Sequence, residues 1–215
     1  MNRRIVLFTS IVCLVCAAML ISCASRQKES IQVACIGDSI TAVGYPEQLS
    51  DLLGKKYEVS NFGKPGAMIK SGDRFSYSGM DEYQESLDLQ ADNYIIMLGT
   101  NDCQKMVEWD EEEFRADYAK LFDSYIGGCP DAKIYTMICP AIDTDASILS
   151  GGFRVDILYN SICPIIAELS ADREIETIDL LSLTLKHPEW SDDGVHPNKD
   201  GMKGIAKYIY SVIHK

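Results

Sequence analysis

Apolar residues in this chain fall into short continuous runs, separated by longer stretches in which they recur every three or four positions. Ile31 to Ile36 is such a run, stopped by Gly37; Tyr94 to Leu98, stopped by Gly99, and Ile134 to Ile138 are others. Tyr57 to Asn61 and Ile175 to Ile178 complete a set of five predicted strands. Compact apolar runs bounded by glycine suit strands buried on both faces. Between them, Leu49, Leu52 and Leu53 have helical spacing within Pro46 to Leu53, which Gly54 closes. Asp110 to Ile126 is amphipathic, with acids in its first turn where the helix dipole favours them, and Gly127-Gly128 follows. Val155 to Leu169, carrying Pro164, and residues 199–214 are the remaining predicted helices. A glycine-rich loop is expected from the second strand to about Met80.

Strands alternating with helices predict right-handed crossovers and a parallel sheet covered on both faces. In such sheets ligands sit beyond the carboxyl ends of the strands, where strand order reverses. Three short segments fall at predicted strand ends: Gly37-Asp38-Ser39, Asn61-Phe62-Gly63 and Gly99-Thr100-Asn101-Asp102.

The first segment stands apart from this pattern. Arg3 and Arg4 precede an apolar stretch from Ile5 to Ile21, too short and one-sided to favour a permanent membrane span, which reads as an export signal, with a plain cleaved signal or a short anchor helix as the alternative. Leu20-Ile21-Ser22-Cys23 resembles a bacterial lipobox. That resemblance implies cleavage before Cys23 and lipidation of its thiol and new amino end. Several acyl chains, at about 0.8 kcal/mol per buried CH₂, anchor durably where one does not. The expected organisation is a lipoprotein signal peptide at 1–22, a lipidated cysteine and tether at 23–30, and one folded domain at 31–215.

The length of 215 residues suits a single core, and 47% hydrophobic with 24% charged residues is ordinary for a globular protein. The formal charge is -12; residues 1–22 carry two arginines and no acid, so the rest carries -14. A body this acidic argues against nucleic acid, whose phosphates need Lys and Arg to neutralise them. Five cysteines remain beyond Cys23, an odd number, and none has zinc-like spacing.

The candidate chemistry begins with Ser39. A serine between a strand and a helix is exposed, with backbone N–H groups nearby that can face a developing anion; equally, Asp38 and Ser39 are good helix caps. A serine hydroxyl needs a base, and a histidine base needs a carboxylate to fix its tautomer. Asp193-Gly194-Val195-His196-Pro197 supplies both, three residues apart across a glycine turn, although a plain turn before a helix has the same composition. His187 is the alternative base. Asn101 could present an amide N–H to an oxyanion or close an Asx turn, and Gly63 an unobstructed backbone N–H or an ordinary turn.

In order along the chain, Gly-Asp-Ser, Asn-x-Gly, Gly-x-Asn-Asp and Asp-x-x-His-Pro resemble the four blocks of the SGNH (GDSL-like) hydrolases, and the resemblance covers nearly all of residues 31–214. It implies a three-layer α/β/α sandwich with a five-stranded parallel sheet, the flavodoxin-like SGNH fold. It implies Ser39 as nucleophile, His196 as base, Asp193 as its partner, and Ser39 N–H, Gly63 and Asn101 as oxyanion donors, with no metal or cofactor. Asp38 and Asp102 are expected to be structural. The lipobox and the stretches around Tyr45-Pro46 and Ile96–Asp102 resemble bacterial envelope O-acetylesterases. The expected activity is therefore hydrolysis of short acyl esters, on a small molecule or glycan, by a protein held in the bacterial cell envelope at Cys23. A lysophospholipase or thioesterase, and an idle glycan-binding lipoprotein, are the rivals. Arg74, Phe75, Tyr77 and Trp109 could stack on a sugar or pack their loops down.

Overall fold

The structure, a computed structural model, describes residues 30–214. Cys23, the signal segment before it and residues 24–29 lie outside the described residues. Five strands, β1 (Ile31–Gly37), β2 (Tyr57–Gly63), β3 (Asn93–Met97), β4 (Lys133–Ile138) and β5 (Glu176–Asp179), form one parallel sheet in the order β2-β1-β3-β4-β5. The chain steps from β1 to β2 on one side and then crosses to β3 on the other, so strand order reverses between β1 and β3.

Successive side chains of a strand point to opposite faces. Val33 and Cys35 of β1 face one side and Ala34 and Ile36 the other, and all four are buried. Leu49 and Leu53 of the helix α2 (Tyr45–Leu53) cover the first face, together with Met202, Ile205 and Ile209 of the last helix, Lys199–Ile213. The opposite face is covered by Phe114, Tyr118 and Phe122 of the long helix Glu111–Gly128, and by Ile165 and Ile166 of Cys163–Ala171. The result is a three-layer α/β/α sandwich. The remaining helices are α1 (Ser39–Ala42), α3 (Asp81–Asp88), α5 (Val155–Ile157) and α7 (Leu180–Thr184); in this chain order Glu111–Gly128 is α4, Cys163–Ala171 is α6 and Lys199–Ile213 is α8. Among the described residues no helix is long and apolar enough to cross a membrane, and the five cysteines are free and buried.

Helix α3 was not expected. Only Tyr83 and Leu87 reach the core from its otherwise polar sequence, too few apolar positions to show a period. The helix expected over Val155 to Leu169 is broken by a π-turn at Leu158–Ile162. Pro164 has no N–H to donate to the preceding turn, and its ring crowds the carbonyl four residues back; a π-turn is one way a helix absorbs such a defect.

Candidate active site

Register brings the three chemical segments side by side. Gly37, the last residue of β1, pairs with Gly63 at the end of β2 and with Met97 at the end of β3. The chain segments that follow these three strands therefore leave the sheet at one level, at the point where strand order reverses.

Ser39 opens α1. Its carboxylate neighbour Asp38 is the N-cap, with Oδ1 accepting the Ile40 N–H at 2.9 Å. The Ser39 hydroxyl lies 2.9 Å from Nε2 of His196, and Nδ1 of the same ring lies 2.8 Å from Oδ2 of Asp193. With the Nδ1 proton directed at Asp193, Nε2 is left as the acceptor for the Ser39 O–H. Asp193 reaches His196 because its other oxygen folds the turn. Oδ1 accepts the backbone N–H groups of Val195 (2.8 Å) and His196 (2.7 Å). Gly194 sits at φ +80°, and a Cβ there would lie 2.2 Å from the Asp143 carbonyl oxygen, so only glycine fits. Burial pushes the Asp193 carboxyl up, but the hydrogen bonds from the His196 ring, the His196 N–H and the Val195 N–H outweigh it and hold the group below the usual carboxylate range.

His187 is not part of this chain of bonds. Its Nδ1 pairs with Glu189 Oε1 at 3.0 Å and its ring stacks on Trp190 at 4.0 Å between centroids. Asp192 is turned to Asn198, the N-cap of α8, whose Nδ2 it accepts at 3.1 Å.

Asn101 is nearly buried. Its Oδ1 accepts Gln104 Nε2 at 2.7 Å, and its Nδ2 donates one hydrogen to the Ala67 carbonyl at 3.0 Å, leaving the second amide hydrogen without a partner among the described residues. Gly63 does not offer the N–H expected of it. That N–H is already donated to Asn61 Oδ1 at 2.9 Å. What requires glycine at 63 is close approach, since a Cβ there would come within 2.3 Å of the Ala42 backbone nitrogen in α1. Three residues on, Pro65-Gly66 forms a turn closed by the Ala67 N–H on the Lys64 carbonyl at 3.0 Å. The Gly66 N–H at its centre has no partner among the described residues, and neither has the Ser39 N–H. The Pro-Gly pair was visible in the sequence as a turn signal; which glycine kept a free donor was not.

The profile of the GDSL-like lipase/acylhydrolase family matches residues 35–203, a span holding Ser39, Asn101, Asp193 and His196 together. The chain belongs to the GDSL-like lipase/acylhydrolase family. It is 31% identical over 214 residues to an acetylxylan esterase of Xylanibacter ruminicola, covering 87% of this chain and 44% of that protein. The chain thus spans under half the length of that relative. Solved structures share the fold. An acetyl xylan esterase superposes with TM-score 0.69 at 24% identity, covering 85% of this chain and 100% of the other. The lipase/acylhydrolase of Enterococcus faecalis superposes with TM-score 0.68 at 19% identity, covering 86% and 95%.

Asp102 is structural, as expected, and what it holds is the loop that carries Gly66. Its buried carboxylate accepts the N–H groups of Ile69 (3.0 Å to Oδ1, 3.1 Å to Oδ2) and Lys70 (3.0 Å). Together with Asn101 on Ala67, it clamps the loop that carries Gly66. Burial pushes the Asp102 carboxyl up to about 7 despite those two N–H donors, and pushes Asp38 up to about 6 despite the Ile40 N–H. Of the loop aromatics, Tyr77 is buried with its O–H donated to the Phe62 carbonyl at 2.8 Å, and Trp109 packs on Phe114 at 5.2 Å. Both pack their loops down. Phe75 is partly exposed beneath the Arg74 guanidinium.

Proposed function

We propose that this chain hydrolyses short-chain acyl esters, acetyl above all, on carbohydrates, through an acyl-enzyme on Ser39. The observation that carries the reading is the unbroken Ser39–His196–Asp193 chain of contacts, 2.9 and 2.8 Å, at the reversal point of the sheet. His196 Nε2 takes the hydroxyl proton as Ser39 Oγ attacks the ester carbonyl. Asp193 holds the ring's tautomer and stabilises the imidazolium. The negative charge that develops on the carbonyl oxygen is met by the Ser39 N–H, the free Asn101 amide hydrogen and the Gly66 N–H, which replaces Gly63 as the third donor because it alone of the two is unpartnered. Collapse expels the alcohol, which takes its proton from His196. Water, deprotonated by the same ring, then releases the acid and restores Ser39.

The carbohydrate part of the reading is supported by the acetylxylan esterase relative. We propose further that Cys23 is lipidated and holds the chain in the cell envelope. The test is acetate release from acetylated xylan and other acetylated glycans by the soluble domain, beside a chain-length series of p-nitrophenyl esters. Acetyl esters should have the highest kcat/KM; a higher value for octanoyl esters would move the assignment to a lysophospholipase or thioesterase. Anchoring is tested separately by palmitate labelling, which Cys23→Ser should abolish.

A further inference from the structure

A cavity of about 360 Å³ opens beyond the carboxyl ends of β4 and β5, against the 193–197 turn that carries His196. It is not the space between Ser39 and His196: neither residue lines it. Its walls are the chain after β4 (Pro140 and Ile142 among them), Leu185, and the stacked pair of His187 and Trp190, and it reaches the acid–base turn through Gly194 and Pro197. Asp143 belongs both to the cavity and to that turn, its N–H donating to the Gly194 carbonyl at 2.9 Å.

We infer that this cavity is the subsite for the alcohol half of the ester, and that it takes a neutral pyranose unit of the acetylated chain. The inference rests on the esterase reading above. His196 must return its proton to the leaving oxygen, so the alcohol has to lie beside His196, and the cavity adjoins the turn that carries His196 through Gly194 and Pro197. The lining is largely apolar, with few polar groups to orient a ligand, as small-ligand sites commonly are. The His187 and Trp190 rings lie parallel within 5°, and the His187 side chain is 38% exposed, so a braced flat ring is presented to a ligand. A pyranose offers the matching surface: a face of C–H groups for the ring and hydroxyls at its edge. Asp143 and Trp190 both line the cavity, and each carries a polar group with no partner among the described residues, Oδ2 and the indole N–H. Asp143, Glu189 beside His187, and a body of charge -14 all disfavour an anionic occupant such as a phospholipid headgroup.

Leu185 is 57% exposed, so Leu185→Trp fills the cavity without disturbing the core. The variant and His187→Ala are compared with the parent on p-nitrophenyl acetate, which has no sugar, and on acetylated xylo-oligosaccharides. The expected result is a fall of about tenfold or more in the ratio of oligosaccharide to p-nitrophenyl acetate kcat/KM, carried mainly by KM, at unchanged melting temperature. A ratio that stays constant, whether both activities fall together or neither does, overturns the subsite. Titration of unacetylated xylo-oligosaccharides into Ser39→Ala separates this outcome from failure of the esterase reading. Binding that disappears in the Ser39→Ala, Leu185→Trp double variant supports the subsite even if no acetylated glycan is turned over. Absence of binding to Ser39→Ala refutes it even if p-nitrophenyl acetate is cleaved.

Discussion

Nδ1 of His196 and Oδ2 of Asp193 lie 2.8 Å apart although only two residues separate them in the chain. The turn that allows this is made by Asp193 itself, whose Oδ1 gathers the two N–H groups that follow, and by a glycine at φ +80°. Asp192, one residue earlier, faces Asn198 and contributes nothing to the ring. Asp192→Ala should therefore keep most esterase activity, while His196→Ala should lose on the order of 10⁶-fold in kcat, the scale on which a serine–histidine unit fails when its base is removed. Steady-state kinetics on p-nitrophenyl acetate decide it, and an Asp192→Ala enzyme as silent as His196→Ala would reassign the acid.

Asn101 is held from both ends of its amide, which fixes the remaining hydrogen in place before any charge develops. Removing one such donor lowers kcat by roughly 10²–10³ with little change in KM. Asn101→Ala should still be labelled, slowly, by a fluorophosphonate probe, whereas Ser39→Ala should not be labelled at all. A stable Asn101→Ala protein with unchanged kcat would remove Asn101 from the oxyanion site.

Gly63→Ala is expected to act on stability. The new methyl would meet the Ala42 backbone, which cannot yield without shifting α1 and Ser39 with it. A loss on the order of 3 kcal/mol is the scale of such overpacking. Thermal melting measures it; a Gly63→Ala protein that melts like the parent but has lost catalysis would return the oxyanion role to Gly63.

Asp102 makes stability depend on pH in an unusual direction. Its carboxyl titrates near 7 in the folded protein and near 3.9 when unfolded. Between those values the folded state holds the extra proton, so stability falls as pH rises across that window. Asp193, held low, acts oppositely and at lower pH, its contribution being lost as pH falls through its folded value. Melting temperatures from pH 4.5 to 8 should decline more steeply in the parent than in Asp102→Asn. Parallel slopes would show that Asp102 is not the group responsible.

The strands that the apolar runs predicted are present because burial on both faces of a parallel sheet leaves no other pattern for Val33 to Ile36 or Tyr94 to Leu98. The Asp193–His196 contact was legible for a related reason, since it is made within a single turn whose glycine is part of the motif. The sequence by itself determined such features, in which the deciding interaction lies within a few residues of the side chain concerned. Only the tertiary structure decided the others. Whether Gly63 or Gly66 keeps a free N–H depends on where the Asn61 side chain turns once β2 lies beside β1. The grip of Asp102 on Ile69 spans 33 residues, and His187 is withdrawn from Ser39 by a stack on Trp190. A hydrogen-bond donor is claimed by whichever acceptor folding brings to it first in space, and nearness in space between distant segments is not written in local spacing.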